Sequence, residues 1–404
     1  MLSHGARPRQ LRWYHAGPML FGDWGTSRLY VLGLAFYYAG HASIWFMAAM
    51  SVLLVAVGWA YQVICRLDPD GGGVYSSARE RSHTLAAIGA LLLCADYIVT
   101  AAISAVEAFH YADFDHNHAH LWAAFAILVI GFVNYFGPTK TGTAAMVVAV
   151  LTALLSLVIA GYSANDLDQA YITPVQGGAL SSWAQFTKLI LAISGVEAIA
   201  NMTGIMVEPV ASTAKKSIWP VLIEIVVLNM VLTVAMLALP VEVVGMGGPD
   251  VVSDPALQTS VDTRNTMVSV LAEHYVGETF AKVAAVVFAL LLLSAVNTAV
   301  TGLVSIQYMM AADKELPSRM TGLNRWGMPA LPLWIGTIAP ALVVLMVPAV
   351  DDLADLYAIG VVGAVALNLG ACSTNFRLRM AGYERYGMLI LSVLMAVVWI
   401  TIAW

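Results

Sequence analysis

Gly22-Asp23-Trp24-Gly25-Thr26-Ser27-Arg28-Leu29-Tyr30 places an acid, two glycines and two hydroxyls inside the first long apolar run of the chain. A continuous lipid-facing helix does not want that composition, because hydrocarbon offers a polar group no partner unless it lines a protein cavity. A polar break in the first span of a polytopic chain is the mark of a binding site built on a discontinuous helix. An acid at the break points to a positively charged ligand.

Composition sets the class. Apolar residues make up 60% of the 404 residues and charged residues only 11%. Mean hydropathy is +0.79, and soluble domains carry about 25% charged residues. The chain reads as an all-α polytopic membrane protein, with the lipid bilayer as its first partner and no nucleic-acid partner. Met1 leads into the first span without a small-residue cleavage site, so no removable signal peptide is expected. Cys65, Cys94 and Cys372 are too scattered for a disulfide framework or a zinc site.

Apolar windows of roughly 20 residues mark eleven spans, at 18–40, 43–65, 84–109, 120–136, 142–163, 184–207, 217–240, 280–311, 331–348, 352–375 and 386–404. Of nineteen Lys and Arg residues, all but Arg28, Lys188, Arg264 and Lys282 fall before the first span or in every second loop after it. The positive-inside rule makes those loops and the N-terminus (1–17) cytoplasmic, as for a multi-pass protein of the plasma membrane. Segment 242–279 is the longest outer loop, and 263–276 suits a helix along the outer surface. The last span runs to Trp404 without polar flanks, so either it stops at the outer face or a twelfth span follows.

With the N-terminus inside, the first and sixth spans cross in opposite directions, and both are interrupted: Gly22–Ser27 in one, Ser194-Gly195-Val196-Glu197 in the other. Corresponding breaks in halves of opposite topology point to an inverted-repeat transporter, with repeats at 18–163 and 184–375 and additional span structure at 376–404. Packing glycines alone would explain Gly195 but not the acids beside both breaks. In the third span, Asp96, Thr100 and Ser104 recur at i, i+4 and i+8 on one helical face, with Tyr97 at its edge.

These residues carry a resemblance. The chain is similar to the amino acid–polyamine–organocation superfamily, whose LeuT-like fold is a 5+5 inverted repeat with discontinuous first and sixth helices and, usually, twelve spans. Within it, the chain most resembles the KUP and KimA potassium–proton symporters. KUP proteins carry G-D-I-G-T-S-P-L-Y where this chain reads GDWGTSRLY at 22–30. KimA-type proteins pair Asp and Tyr seven apart, as Asp23 and Tyr30 are. Their D-Y-x-x-T-x-x-x-S is met by Asp96, Tyr97, Thr100 and Ser104, and their T-G-V-E by Ser194 to Glu197. PDGGGVYSSARE at 69–80, Glu208-Pro209 and DLYAIG at 355–360 are further superfamily-like marks.

The resemblance implies potassium uptake by proton symport and alternating access, in a transporter rather than an enzyme, with no cofactor. Asp23, Tyr30, Asp96, Tyr97, Thr100, Ser104, Ser194 and Tyr357 are the candidate ligands of a monovalent cation, and Asp23 or Glu197 the proton carrier. KUP-like relatives suggest a homodimer. An anionic Asp23 would repel a substrate carboxylate, which separates this reading from its alternative, a proton-coupled amino-acid or amine permease. A non-transporting membrane solute sensor is the remote third. Arg28 stands where KUP proteins have Pro; it is a gating candidate that pairs with an acid, or else it neutralises Asp23. Glu224 and Asn229 read as isolated structural polar residues of the seventh span. His116, His118 and His120 are the weak metal candidates, in a loop far from the mid-membrane acids, where no metal is expected.

Overall fold

The computed structural model describes residues 8–71, 73–112, 114, 118–248, 259–347 and 350–404, the side chains of 138–140, 261–262 and 350–358 excepted. Its helices are α1 (Trp13–Trp24), α2 (Ser27–Ala39), α3 (Ser43–Leu67), α4 (Gly73–Arg79), α5 (His83–Tyr111), α6 (Ala119–Asn134), α7 (Pro138–Ser163), α8 (Ala179–Lys188) and α9 (Val196–Met202). They continue with α10 (Val210–Leu237), α11 (Val241–Val244), α12 (Val261–Asn265), α13 (Met267–Tyr275), α14 (Glu278–Ala312), α15 (Ala330–Met346), α16 (Val350–Thr374) and α17 (Gly382–Ala403). Among the described residues there is no strand, only isolated bridges at Leu11–Met206 and Leu323–Pro329.

Among the described residues six helical stretches are long and apolar enough to cross a membrane, and a bent pair makes a seventh. The first of them, Trp13–Leu67, has 55 residues, about 80 Å of helix against a hydrocarbon core of about 30 Å. It crosses twice. The 3₁₀ turn Gly40–Ala42 reverses the chain, and α3 returns so far that the carbonyl of Pro69 accepts from Arg9 at 3.2 Å. With three shorter apolar helices, Ala119–Asn134, Ala330–Met346 and Ile359–Thr374, each segment expected from the sequence corresponds to a helix.

The first span is not fully severed. Gly25 still donates to the Phe21 carbonyl at 2.8 Å, and the Thr26 hydroxyl turns back onto the Asp23 carbonyl, a local bond that competes with the helical ladder. The sixth span is truly broken. The arms Ala179–Lys188 and Ile190–Ile205 meet at 47° around Leu189, and within the second arm a 3₁₀ turn, Ile190–Ile193, leads to Gly195 at φ +96°. Only glycine suits that joint, because a side chain there would be left-handed and its Cβ would lie 2.9 Å from the Asp23 carboxyl carbon.

α14 is the central post. It packs on α5 and α1, with Thr298 donating to the Met19 carbonyl at 2.7 Å and Asn297 accepting from Asn134 at 2.8 Å. The outer segment expected to be helical at 263–276 is helical but interrupted at Thr266. It does not simply lie on the surface: Met267, Val268, Leu271 and Ala272 are fully buried. Glu208 to Pro209 then leads into α10, and short α4 packs against α5 and α16 near the N-terminal face.

Gly195→Ala tests the joint. It should lower stability by about 1–3 kcal/mol, the usual cost of a residue held in a disfavoured backbone region, read as a lowered thermal unfolding midpoint in detergent.

Candidate functional site

Three helices bring three acids together. Asp23 comes from the end of α1, Asp96 from the middle of α5 and Glu197 from the first turn of α9, and each is no more than 2% exposed. The carboxyls of Asp96 and Glu197 interact directly, and Asp23 lies within electrostatic reach of both. One oxygen of each, Asp23 Oδ2, Asp96 Oδ2 and Glu197 Oε2, accepts from no donor. Buried acids are normally paired or fully hydrogen-bonded, and none of the ion pairs among the described residues reaches these three.

Their remaining contacts fix position rather than charge. Thr100 Oγ1 donates to Asp96 Oδ1 at 3.3 Å, and the Gly195 amide to Glu197 Oε1 at 3.3 Å. Asn201 Nδ2 donates to the Tyr97 hydroxyl at 2.7 Å and to the Glu197 carbonyl at 3.1 Å. The packing is close: a Cβ on Gly360 of α16 would lie 3.2 Å from the Asp96 Cβ, and one on Gly302 of α14 would enter the Tyr97 ring.

Asp23, Asp96, Tyr97, Thr100 and Glu197 therefore converge, with Ser194 buried at the joint beside them and Ser104 buried one turn beyond Thr100. Tyr30 is half-buried on α2, two turns from Asp23 or about 10 Å along the axis. The Tyr357 side chain and His116 lie outside the described residues. His118 caps α6 and His120 sits in its first turn; among the described residues no group of His, Cys, Asp or Glu is arranged to hold a metal.

Arg28 does not face Asp23. Its guanidinium bonds Glu224 of α10 and, at 3.1 Å, Ser156 of α7, and it lies 5.5 Å over the Phe21 ring. Phe21 and Arg28 are seven apart, hence on one helical face, whereas Asp23 is on the opposite one. Glu224 is thus the acid that answers Arg28 and not an isolated polar residue, a partner no spacing rule could assign across 196 positions.

Asn201 is a site residue the sequence reading missed, although its i+4 spacing from Glu197 was available as a signal. It also seals the floor of the site. Gly71 and Gly73 are pressed against it, with a Gly71 Cβ position 3.4 Å from the Asn201 carbonyl oxygen and a Gly73 Cβ position 2.7 Å from Asn201 Oδ1. Below these glycines Arg9 joins the segments by donating to the carbonyls of Pro69, Thr203 and Met206 and to Asp70 Oδ1 at 2.8 Å.

Replacing Arg28 by Gln leaves the partly buried Glu224 without a countercharge and should lower stability, by less than the ~3–5 kcal/mol of a fully buried pair. The double variant Arg28→Gln, Glu224→Gln should recover most of that loss in thermal unfolding. Equal destabilisation in both variants would mean the pair is not what holds α2 to α10.

The amino acid permease family matches residues 15–404 of the chain, which include every element of this site. No curated protein matches it.

Proposed function

The chain belongs to the amino acid permease family, and from that premise we propose that this integral, multi-pass membrane transporter is a proton-coupled symporter of a small monovalent cation, potassium. The observation that carries the reading is the convergence of three acids, each with an oxygen that has no donor, and to which no basic side chain among the described residues is bonded. Carboxylates held out of water in this way must take up a proton or a cation. The family match does not itself separate the KUP and KimA branch from other permeases; the site chemistry supports it.

The cation sits among Asp23, Asp96, Thr100, Tyr97 and backbone carbonyls at the two breaks, and Glu197 or Asp23 carries the proton. Oxygen donors of this kind suit an alkali cation that exchanges its hydration shell for carboxylate, hydroxyl and carbonyl oxygens. Loading cancels the charge that would make closure over a dry site costly, so the occupied form is the one that can change its opening. We take the N-terminal face as cytoplasmic, from the distribution of Lys and Arg. The inner opening then requires the Arg9 contacts to part.

The second reading, a proton-coupled permease for amino acids or amines, is favoured by the family match itself. An ammonium group would satisfy the same acids. A free carboxylate is harder to place, since the Gly195 amide is bonded to Glu197 and the Gly25 amide to Phe21. An amine is therefore the better organic candidate.

In proteoliposomes with an inward proton gradient, rubidium uptake should be saturable, should follow the gradient and should fall to background in Asp23→Asn. No rubidium uptake, together with proton entry driven by an amine or amino acid, would replace the first reading by the second.

A further inference from the structure

A polar track leads from the acids to the N-terminal face through groups that the cation site does not use. Tyr61 of α3 lies within electrostatic reach of Glu197 and its hydroxyl contacts Asn368 of α16. One turn on, the Cys372 thiol reaches Asn368 Oδ1 at 3.8 Å and also contacts Ser77 of α4. Ser77 Oγ donates to Asp68 Oδ2 at 2.6 Å. Asp68 then lines a recess of about 500 Å³ that opens at the N-terminal face, together with Asp70, Glu80 and His83.

Tyr61, Asn368 and Cys372 are fully buried and Ser77 nearly so. Glu197 Oε2 at one end and Asn368 Nδ2 in the middle make no hydrogen bond to the protein.

We propose that a proton brought in on the Glu197 carboxyl leaves the site along this track, by way of Tyr61, Cys372 and Ser77, and that Asp68 is the acceptor that passes it to water in the recess. The inference rests on the proton-coupled reading above. Each hop moves one proton from an O–H or S–H to the next lone pair while that group releases its own. Every relay member keeps its proton count, and the net change is one proton from Glu197 to Asp68 and then to water. Asn368 cannot relay by itself; its Nδ2 can hold a water that does.

Asp68 suits the end of such a track. Burial pushes its carboxyl up to about 6, the Ser77 hydroxyl opposing and the charges of Glu80 and Asp70 adding to the rise. The other groups around it are Cys65 on α3 and Cys372 on α16. Across the recess stand Arg79 and Asp313, paired at 2.6 Å, and His83. Arg9 meets the same loop at Pro69 and Asp70. Above about pH 6 Asp68 is mostly ionised and can accept a proton; below it the acceptor is filled.

The experiment compares net rubidium uptake with rubidium–rubidium exchange, in vesicles oriented with the N-terminal face inside. Net uptake requires the proton to be released, whereas exchange can run with the proton retained. Wild-type net uptake should decline as the internal pH falls through about 6. Asp68→Asn should lower net uptake about tenfold or more, as expected for a lost proton acceptor, and abolish that internal pH dependence, with exchange little changed. Cys372→Ala should slow net uptake and Cys372→Ser should restore it, which keeps the test open if Asp68→Asn does not fold. Unchanged net uptake and pH profile, or net uptake and exchange falling together, overturns the relay alone. Wild-type vesicles that show no proton-coupled rubidium movement overturn the transport reading and the relay with it.

Discussion

The crowding of Asp23, Asp96 and Glu197 in a water-poor centre is the constraint on which the rest depends. Packing three acids at a few per cent exposure is tolerable only if protons or cations compensate them, since an uncompensated buried charge costs several kcal/mol. The nearest guanidinium along the chain, that of Arg28, is drawn to the opposite face of its helix by Glu224 and Ser156. The Arg28–Glu224 pair and the three acids thus lie on opposite sides of one helix.

The helix break serves that separation. Gly195 brings the sixth span so close to Asp23 that no side chain fits between them, and in doing so sets Glu197 beside Asp96. The left-handed turn at Gly195 trades helical regularity for proximity. In the first span the deformation is smaller, a turn at Gly25–Thr26 that keeps one helical bond and frees little backbone. The acids, more than exposed peptide groups, therefore define what the site can hold.

Much of this was legible in the sequence. Hydropathy gave the span positions because lipid forbids anything but helix there, and the polar interruptions at 22–27 and 194–197 marked the right segments. Asp96, Thr100 and Ser104 could be assigned to one face from spacing alone. What could not be read were the long-range pairings. Arg28 had two acids available in principle, and nothing local told Glu224 from Asp23. Asn201, Tyr61 and Asn368 are single polar residues in apolar runs, and such residues more often make helix contacts; only their meeting across α3, α5, α9 and α16 gives them a place near the site. The outer segment 263–276 could be expected to form a helix, but the sequence did not show that Met267, Val268, Leu271 and Ala272 would be buried.

The two ends of the molecule are closed by different physics. At the N-terminal face Arg9 joins Asp70 and Glu208, whose side chains are 82% and 75% exposed, and ion pairs so accessible to water are worth about 0–1 kcal/mol each. Its bonds to the carbonyls of Pro69, Thr203 and Met206 can likewise be exchanged for water. At the far face, backbone lies on backbone: Gly33 meets the Arg264 carbonyl, Gly40 the Gly247 carbonyl and Gly247 the Phe36 carbonyl, with no room for a Cβ at any of the three. Parting those surfaces gives up close packing without a matching gain from water. From this arrangement the N-terminal closure is the less costly to open, and the same face holds the recess into which the polar track from Glu197 leads.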